Sequence, residues 1–238
     1  MNALTQYFVP EWVSIAFLLL IPLPFVLIAL LVRRQAERTQ HKTAFAWTVA
    51  FFTAYLAYIS WASLSGLFNQ VLFPPKVLLM TTFPYAFFLF VIVAKTRVFN
   101  NLLAHTTVEQ LVGLHIFRVV GGFFVVLALY DALPKPFAFI AGIGDVLTAL
   151  SSIYVVKVIR DRKDYAKKLA YAWNIFGTAD ILFTAIAANV LTKISIDTGA
   201  MGVDTLAFFP FSIIPAFAPP TILFIHWMIF KKLNQVST

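Results

Sequence analysis

The sequence predicts an all-α fold, a bundle of seven transmembrane helices with the N-terminus outside and the C-terminus in the cytoplasm. Three observations carry that prediction. Apolar residues fill 61% of the 238 positions and charged ones only 12%. Seven apolar stretches each reach the roughly 20 residues that a helix needs to cross a bilayer. The loops between them alternate between rich and poor in Lys and Arg. A mean hydropathy of +0.87 lies far from the range of water-soluble chains. Seven crossings use most of the chain, so residues 1–238 are expected to form a single membrane domain.

Windows bounded by charge or turn signals place the spans near 12-32, 43-66, 76-95, 108-131, 136-158, 168-192 and 207-230. The tail 1–12 has no Lys or Arg, so it lacks the basic region of a cleavable signal peptide. The first span runs out at Arg33, Arg34, Arg38 and Lys42, and the second closes before Pro74-Pro75. The third stops at Lys95 and Arg97, and the fourth before Pro134-Lys135-Pro136. After the fifth come Lys157, Arg160, Arg162, Lys163, Lys167 and Lys168, a basic run broken up by Asp161 and Asp164 and read as a topology signal. The sixth ends near Lys193 and the seventh at Lys231 and Lys232. Of the 18 basic residues, 14 follow the odd-numbered spans, which sets the orientation by the bias of short loops. The net charge of +8 is accounted for at span ends and by anionic headgroups, so lipid is the expected partner and nucleic acid is not. The absence of Cys excludes disulfides, thiolate metal sites and cysteine nucleophiles.

Three charged groups fall deep in the spans: Arg118 in the fourth, Asp145 in the fifth and Asp180 in the sixth. At 1.5 Å per residue each lies about 12–16 Å from a span end, near the midplane of a core roughly 30 Å thick. An isolated charge there costs about 3 kcal/mol on insertion scales, so the three should face inward and pair. Helical periodicity supports this: Leu111, His115, Arg118 and Gly122 share one face, Ala141, Asp145, Thr148 and Ser152 another, and Trp173, Gly177, Asp180 and Thr184 a third. Two carboxylates beside one guanidinium cannot both ionise cheaply in low dielectric. One is therefore expected to hold a proton, Asp145 in preference, because Gly142 and Gly144 let another backbone approach. Asn174 is placed to hydrogen-bond across helices.

His115 lies one turn from Arg118, and His226 about 6 Å inside the end of the seventh span. Two such histidines are able to ligate a haem axially, but lone histidines in bundles are more often hydrogen-bonded core residues, so neither a cofactor nor a metal is expected. His41 and His105 read as solvated connector residues. No span carries a Lys near its centre, which excludes a retinal Schiff base. The seventh span contains Pro210, Pro215, Pro219 and Pro220, so its hydrogen-bond ladder should break repeatedly, and these prolines mark a hinge or static kink.

Taken in order, Pro74-Pro75-Lys76, Arg118-Val-Val-Gly-Gly122, Gly142-Ile-Gly-Asp145, Trp173-Asn174-x-x-Gly177-x-x-Asp180, the proline-rich seventh span and His226 resemble a family of bacterial seven-helix membrane proteins without an assigned activity. The resemblance covers most of the chain, implies a bacterial inner (plasma) membrane location, and places Gln where this chain has His115. Separately, Gly142-Ile143-Gly144-Asp145 is similar to the GxGD motif of intramembrane aspartyl proteases, which implies Asp180 as the partner of Asp145. In that family, however, the partner precedes the motif, and Ile214-Pro215-Ala216-Phe217 only faintly matches its Pro-Ala-Leu element.

The leading functional expectation is a membrane protein whose Arg118, Asp145 and Asp180 site, with Asn174 and His115, handles a proton, an ion or a small polar solute. The alternatives are an aspartyl protease and a non-catalytic subunit or sensor locked by a buried ion pair. Whether the chain is an enzyme stays open at this stage. Its small-residue and aromatic surfaces would allow a homo-oligomer.

Overall fold

A computed structural model describes residues 4–235, so the first three residues of the N-terminal tail lie outside the described part. The described chain is helical, and seven helices are long and apolar enough to cross a membrane: Glu11–Thr39, Thr43–Leu64, Leu78–Lys95, Val108–Leu129, Lys135–Arg160, Ala166–Thr198 and Ile213–Gln235. The end of the bundle that carries most of the Lys and Arg is called the basic end below, and the opposite one the far end.

The bounds of the first, sixth and seventh helices depart from expectation. The first helix runs to Thr39 rather than stopping at the arginines, because the polar stretch after Val32 is itself helix-forming and Arg33 pairs with Glu37 at 3.2 Å one turn on. It bends at Ile21, where Pro22 and Pro24 restart the helix. The sixth helix overshoots at both ends, and its far end stops at Gly199, whose φ of +73° is a left-handed stop. The seventh begins at Ile213 rather than near 207, after a turn of 3-10 helix at Asp204–Ala207. The connector after the third span is not a plain loop: Thr96 caps a short helix, Arg97–His105, by accepting from Phe99 N–H at 3.1 Å. Thr107 and Gln110 then form a capping box that starts the fourth span.

The expected hinge prolines behave differently from one another. Pro210 precedes the seventh helix and Pro215 sits in its first turn, where no intrahelical donor is lost, so neither breaks the ladder. Only Pro219 and Pro220 are interior. Each lacks the N–H that would reach four residues back, which frees the carbonyls of Pro215 and Ala216. Those carbonyls are the ones that neighbours satisfy: Thr82 Oγ1 donates to Pro215 at 2.7 Å and the Tyr55 hydroxyl to Ala216 at 2.9 Å. The third span repeats the device more weakly. Pro84 frees the carbonyl of Met80, which accepts from the Tyr58 hydroxyl at 3.4 Å, and wide π-helical turns flank the short α-segment that Pro84 opens.

Two apolar clusters fill the interior. The larger, toward the far end, is built on rings: Phe17 meets Phe123 and Phe211 at 5.3 and 5.2 Å, and Phe25 meets Phe217 at 4.1 Å. The smaller, toward the basic end, is mostly aliphatic, with Leu111, Val112, Val155 and Ile229 at its centre. Outside, large apolar side chains stand exposed around the bundle, among them Leu19, Leu64 and Ile186, as a lipid-facing surface requires.

Removing the carbonyl partners tests the proline device. Tyr55→Phe and Thr82→Val should each destabilise the detergent-solubilised protein by about 1–3 kcal/mol, the cost of stranding a buried carbonyl. Tyr58→Phe, whose bond is long and exposed, should cost less than about 0.5 kcal/mol. Equal losses at all three in denaturant titration would mean that packing, not carbonyl capping, sets the effect.

Candidate functional site

Where the two apolar clusters meet, the fourth span leaves α geometry. Residues His115–Gly122 form a 3-10 helix of 8 residues, longer than such stretches usually run. With three residues per turn, His115, Arg118 and Gly121 line up on one face. This corrects the expected face, which α periodicity gave to Gly122. The difference matters because Gly121, not Gly122, is pressed against the fifth span: a Cβ on Gly121 would fall inside the Asp145 side chain.

Arg118 is 1% exposed and binds on three sides. Its Nε donates to Asp145 Oδ1 at 2.7 Å and its Nη2 to Asp180 Oδ2. Its Nη1 donates to the Gly177 carbonyl at 3.1 Å and lies 3.3 Å from His226 Nε2. The hydrogen bonds assign the His226 tautomer. Asn174 Nδ2 donates to the His226 carbonyl at 3.1 Å, which leaves Asn174 Oδ1 to accept from His226 Nδ1 at 2.7 Å. His226 Nε2 is then a lone-pair acceptor for Arg118, and the imidazole is neutral. One guanidinium thus ties together the fourth, fifth, sixth and seventh spans, and with both carboxylates ionised the cluster carries one net negative charge.

The structure brings Arg118, Asp145, Asp180 and Asn174 together, and adds His226, which the sequence reading does not place with them. The miss has a simple cause. The seventh helix continues to Gln235, so His226 lies about 13 Å from its end, level with the guanidinium, rather than near the surface. His115 is also in the cluster, with its ring centroid 4.2 Å from that of His226 and the Trp173 ring edge-on at 5.1 Å, yet neither of its nitrogens has a hydrogen-bond partner. The rings of His115 and His226 pack directly on each other, so no gap remains for a haem plane between them. Thr148 and Ser152 turn their hydroxyls to carbonyls of their own helix, at 2.8 and 2.6 Å.

The glycines of the GxGD segment sit at close helix contacts. Gly144 lets the sixth span close in, since a Cβ there would fall on the Asp180 carboxylate. Asp145 and Asp180 therefore do come together, with the same guanidinium between them taking one oxygen of each.

Two cavities approach the cluster from the far end. One of about 40 Å³, room for a water or two, touches Arg118, Asp145 and Gly121. The other, of about 140 Å³, reaches from Asp204, Asn189 and Thr192 down to Thr184, one turn from Asp180. Phe124 and Ile214 line both and form the partition between them. In the second cavity, burial pushes the Asp204 carboxyl up, against the opposing effect of Thr5 N–H, which donates to it at 3.1 Å.

The glycine contacts give a test. Gly121→Ala and Gly144→Ala should each cost about 3 kcal/mol or more, as breaking a buried ion pair does. Gly122→Ala and Gly113→Ala, whose new Cβ would meet Val146 and Val156 side chains at 3.6 and 3.7 Å, should stay within about 1 kcal/mol of the parent. A tolerant Gly121 together with an intolerant Gly122, read from thermal unfolding, would restore the α-helical register.

Neither a curated protein nor a solved structure matches this chain. A family model does, over residues 74–234. The matched region opens at Pro74, where the ordered motif set begins, and takes in every residue of the buried cluster. Since that match extends over well more than half of its length, the chain belongs to the family described as a domain of unknown function, DUF8737.

Proposed function

We propose that this chain is an integral protein of a bacterial inner membrane, N-terminus outside, whose Arg118, Asp145 and Asp180 cluster takes up and releases a proton across the far-end cavities. The observation that carries the reading is the mismatch of charge at a place water can approach: one guanidinium is shared by two carboxylates, His226 adds no charge, and a water-sized cavity touches Arg118 and Asp145. In low dielectric a net negative cluster relaxes by binding one proton. The far-end cavity, with Asp204 on its wall, supplies the approach. Beyond the guanidinium, His226 and the unpartnered His115 extend the titratable groups toward the basic end.

The fully bonded guanidinium, bridging four spans, supports a second reading: a static lock in a subunit or sensor, with no proton movement. The two differ in one observable, whether a carboxyl in the cluster is protonated.

Infrared spectra of the membrane-embedded protein at neutral pH should contain a protonated-carboxyl band that disappears in Asp145→Asn or Asp180→Asn, and vesicles reconstituted with the parent should show a voltage-driven proton flux that those variants lose. If the spectra hold only carboxylate bands and parent vesicles are as tight as empty ones, the lock is the correct reading.

Orientation follows from the basic loops, and the cysteine-free sequence lets single cysteines report it. An impermeant maleimide applied to intact cells should label Thr5→Cys but not Asp164→Cys, both at exposed positions. The reverse pattern would invert the topology.

A further inference from the structure

A third cavity, larger than the two beside the charged cluster, lies away from it at the basic end. It has a volume of about 290 Å³ and is enclosed by the first, second, third, fourth and seventh spans together with the short helix Arg97–His105. Its wall is apolar, aliphatic side chains interspersed with rings, among them Trp47, Phe51, Phe88, Phe99 and Phe224. Trp47, at 73% exposure, stands at its rim, so the cavity opens sideways toward lipid beside the second span.

Polar side chains on this wall satisfy themselves, with one exception. The Tyr85 hydroxyl and Thr221 Oγ1 pair at 3.2 Å, and Thr48 and Thr106 each donate to a carbonyl of their own helix at 2.8 Å. Gln35, 1% exposed, is different. Its Nε2 donates to Gln110 Oε1 at 3.1 Å, and that same oxygen accepts Thr107 N–H at 3.0 Å in the capping box. Because the capping box commits Gln110 Oε1 as an acceptor, the Gln35 amide cannot be flipped. Its own Oε1 is left buried with no donor.

From the cavity and this single open acceptor, we infer that the basic-end cavity is a binding site for a flat, ring-bearing amphiphile with one hydroxyl or N–H donor, which it gives to Gln35 Oε1 while its apolar body lies among the rings. The size fits such a body: the cavity has about twice the volume of the ~150 Å³ apolar site that accepts benzene, and ligand sites of this kind are largely apolar with a few placed polar groups. A molecule headed by a carbonyl or ether is the wrong partner, since it would set one acceptor against another. The inference is independent of the proton reading, which concerns other residues.

The probe is 2-naphthol, compared with 2-methoxynaphthalene, which has the same rings and no donor. The full-length protein in detergent should bind 2-naphthol at one site about tenfold more tightly than the ether, as one buried hydrogen bond provides. Gln35→Leu should remove that difference, and Leu102→Trp, which fills the cavity from the short helix, should weaken both compounds. Equal affinity of the parent for the two compounds would overturn the inference without recourse to any variant, as would a preference that survives Gln35→Leu. Mass spectrometry of an organic extract of the purified protein then separates the sources: a ring-bearing alcohol or amide released one per chain and displaced by 2-naphthol is a membrane lipid, whereas an empty extract with naphthol binding intact points to a water-borne ligand.

Discussion

A guanidinium in the middle of a helix long and apolar enough to cross a membrane must find its acceptors inside the protein, and the placement of four helices follows from how Arg118 does so. The ion costs about 3 kcal/mol or more to bury unpaired. Asp145 and Asp180 approach along its Nε and Nη2 edge, while the Gly177 carbonyl and His226 take Nη1. Each of these partners comes from a helix that must close to within a side chain's reach, which is why Gly121 and Gly144 occur where any Cβ would collide with a carboxylate. The 3-10 stretch serves the same end. By winding at three residues per turn it stacks His115, Arg118 and Gly121 on one line, so that the residue that binds and the residue that makes room face the same neighbour.

The seventh helix delivers His226 to this level, and it can do so only because its two interior prolines are compensated from outside. Unsatisfied carbonyls in a bilayer are expensive enough that a Pro-Pro pair would otherwise terminate the helix. Tyr55 and Thr82, on the second and third spans, restore the missing bonds from the far side of the seventh helix, so those two spans support the site without touching it.

The depth of Arg118, Asp145 and Asp180 is legible from sequence because it depends only on counting residues from charged span ends at 1.5 Å per residue. The same counting fails for His226, since the last helix continues past the point where the apolar pattern stops, and hydropathy does not report where a polar sequence keeps its helical bonds. Gly121 is hidden for a different reason. No residue pattern announces a switch from 3.6 to 3.0 residues per turn, so the assumed α register shifts the small residue by one position to Gly122. The start of the fourth span, by contrast, was open to reading: Thr107-Val-Glu-Gln110 has the spacing of a capping box. Pro210 and Pro215, two prolines of the expected seventh span, are misread for want of a known starting residue, because Pro215 breaks a ladder only if the helix begins a turn earlier than it does.

The cluster also separates two interiors of unlike character. Toward the far end, the space next to Arg118 and Asp145 is divided by Phe124 and Ile214 from a cavity bordered by Asp204, Asn189 and Thr192. Toward the basic end, Leu111, Val112, Val155 and Ile229 pack behind His115, and the cavity beyond them is lined with rings. A symmetrical structural lock has no need of such a contrast, since an ion pair sealed on both sides loses least to water. On the proton reading proposed above the contrast has a use: water reaches the carboxylates from one side, and passage beyond them runs through imidazoles rather than through water. The unpartnered nitrogens of His115 lie on the basic-end side, within ring contact of His226. A buried imidazole left without a hydrogen bond is a cost that apolar packing alone would avoid by placing a leucine there. On the proton reading proposed above, this imidazole, next to the neutral histidine that contacts Arg118, is the next group able to carry the proton toward the basic end.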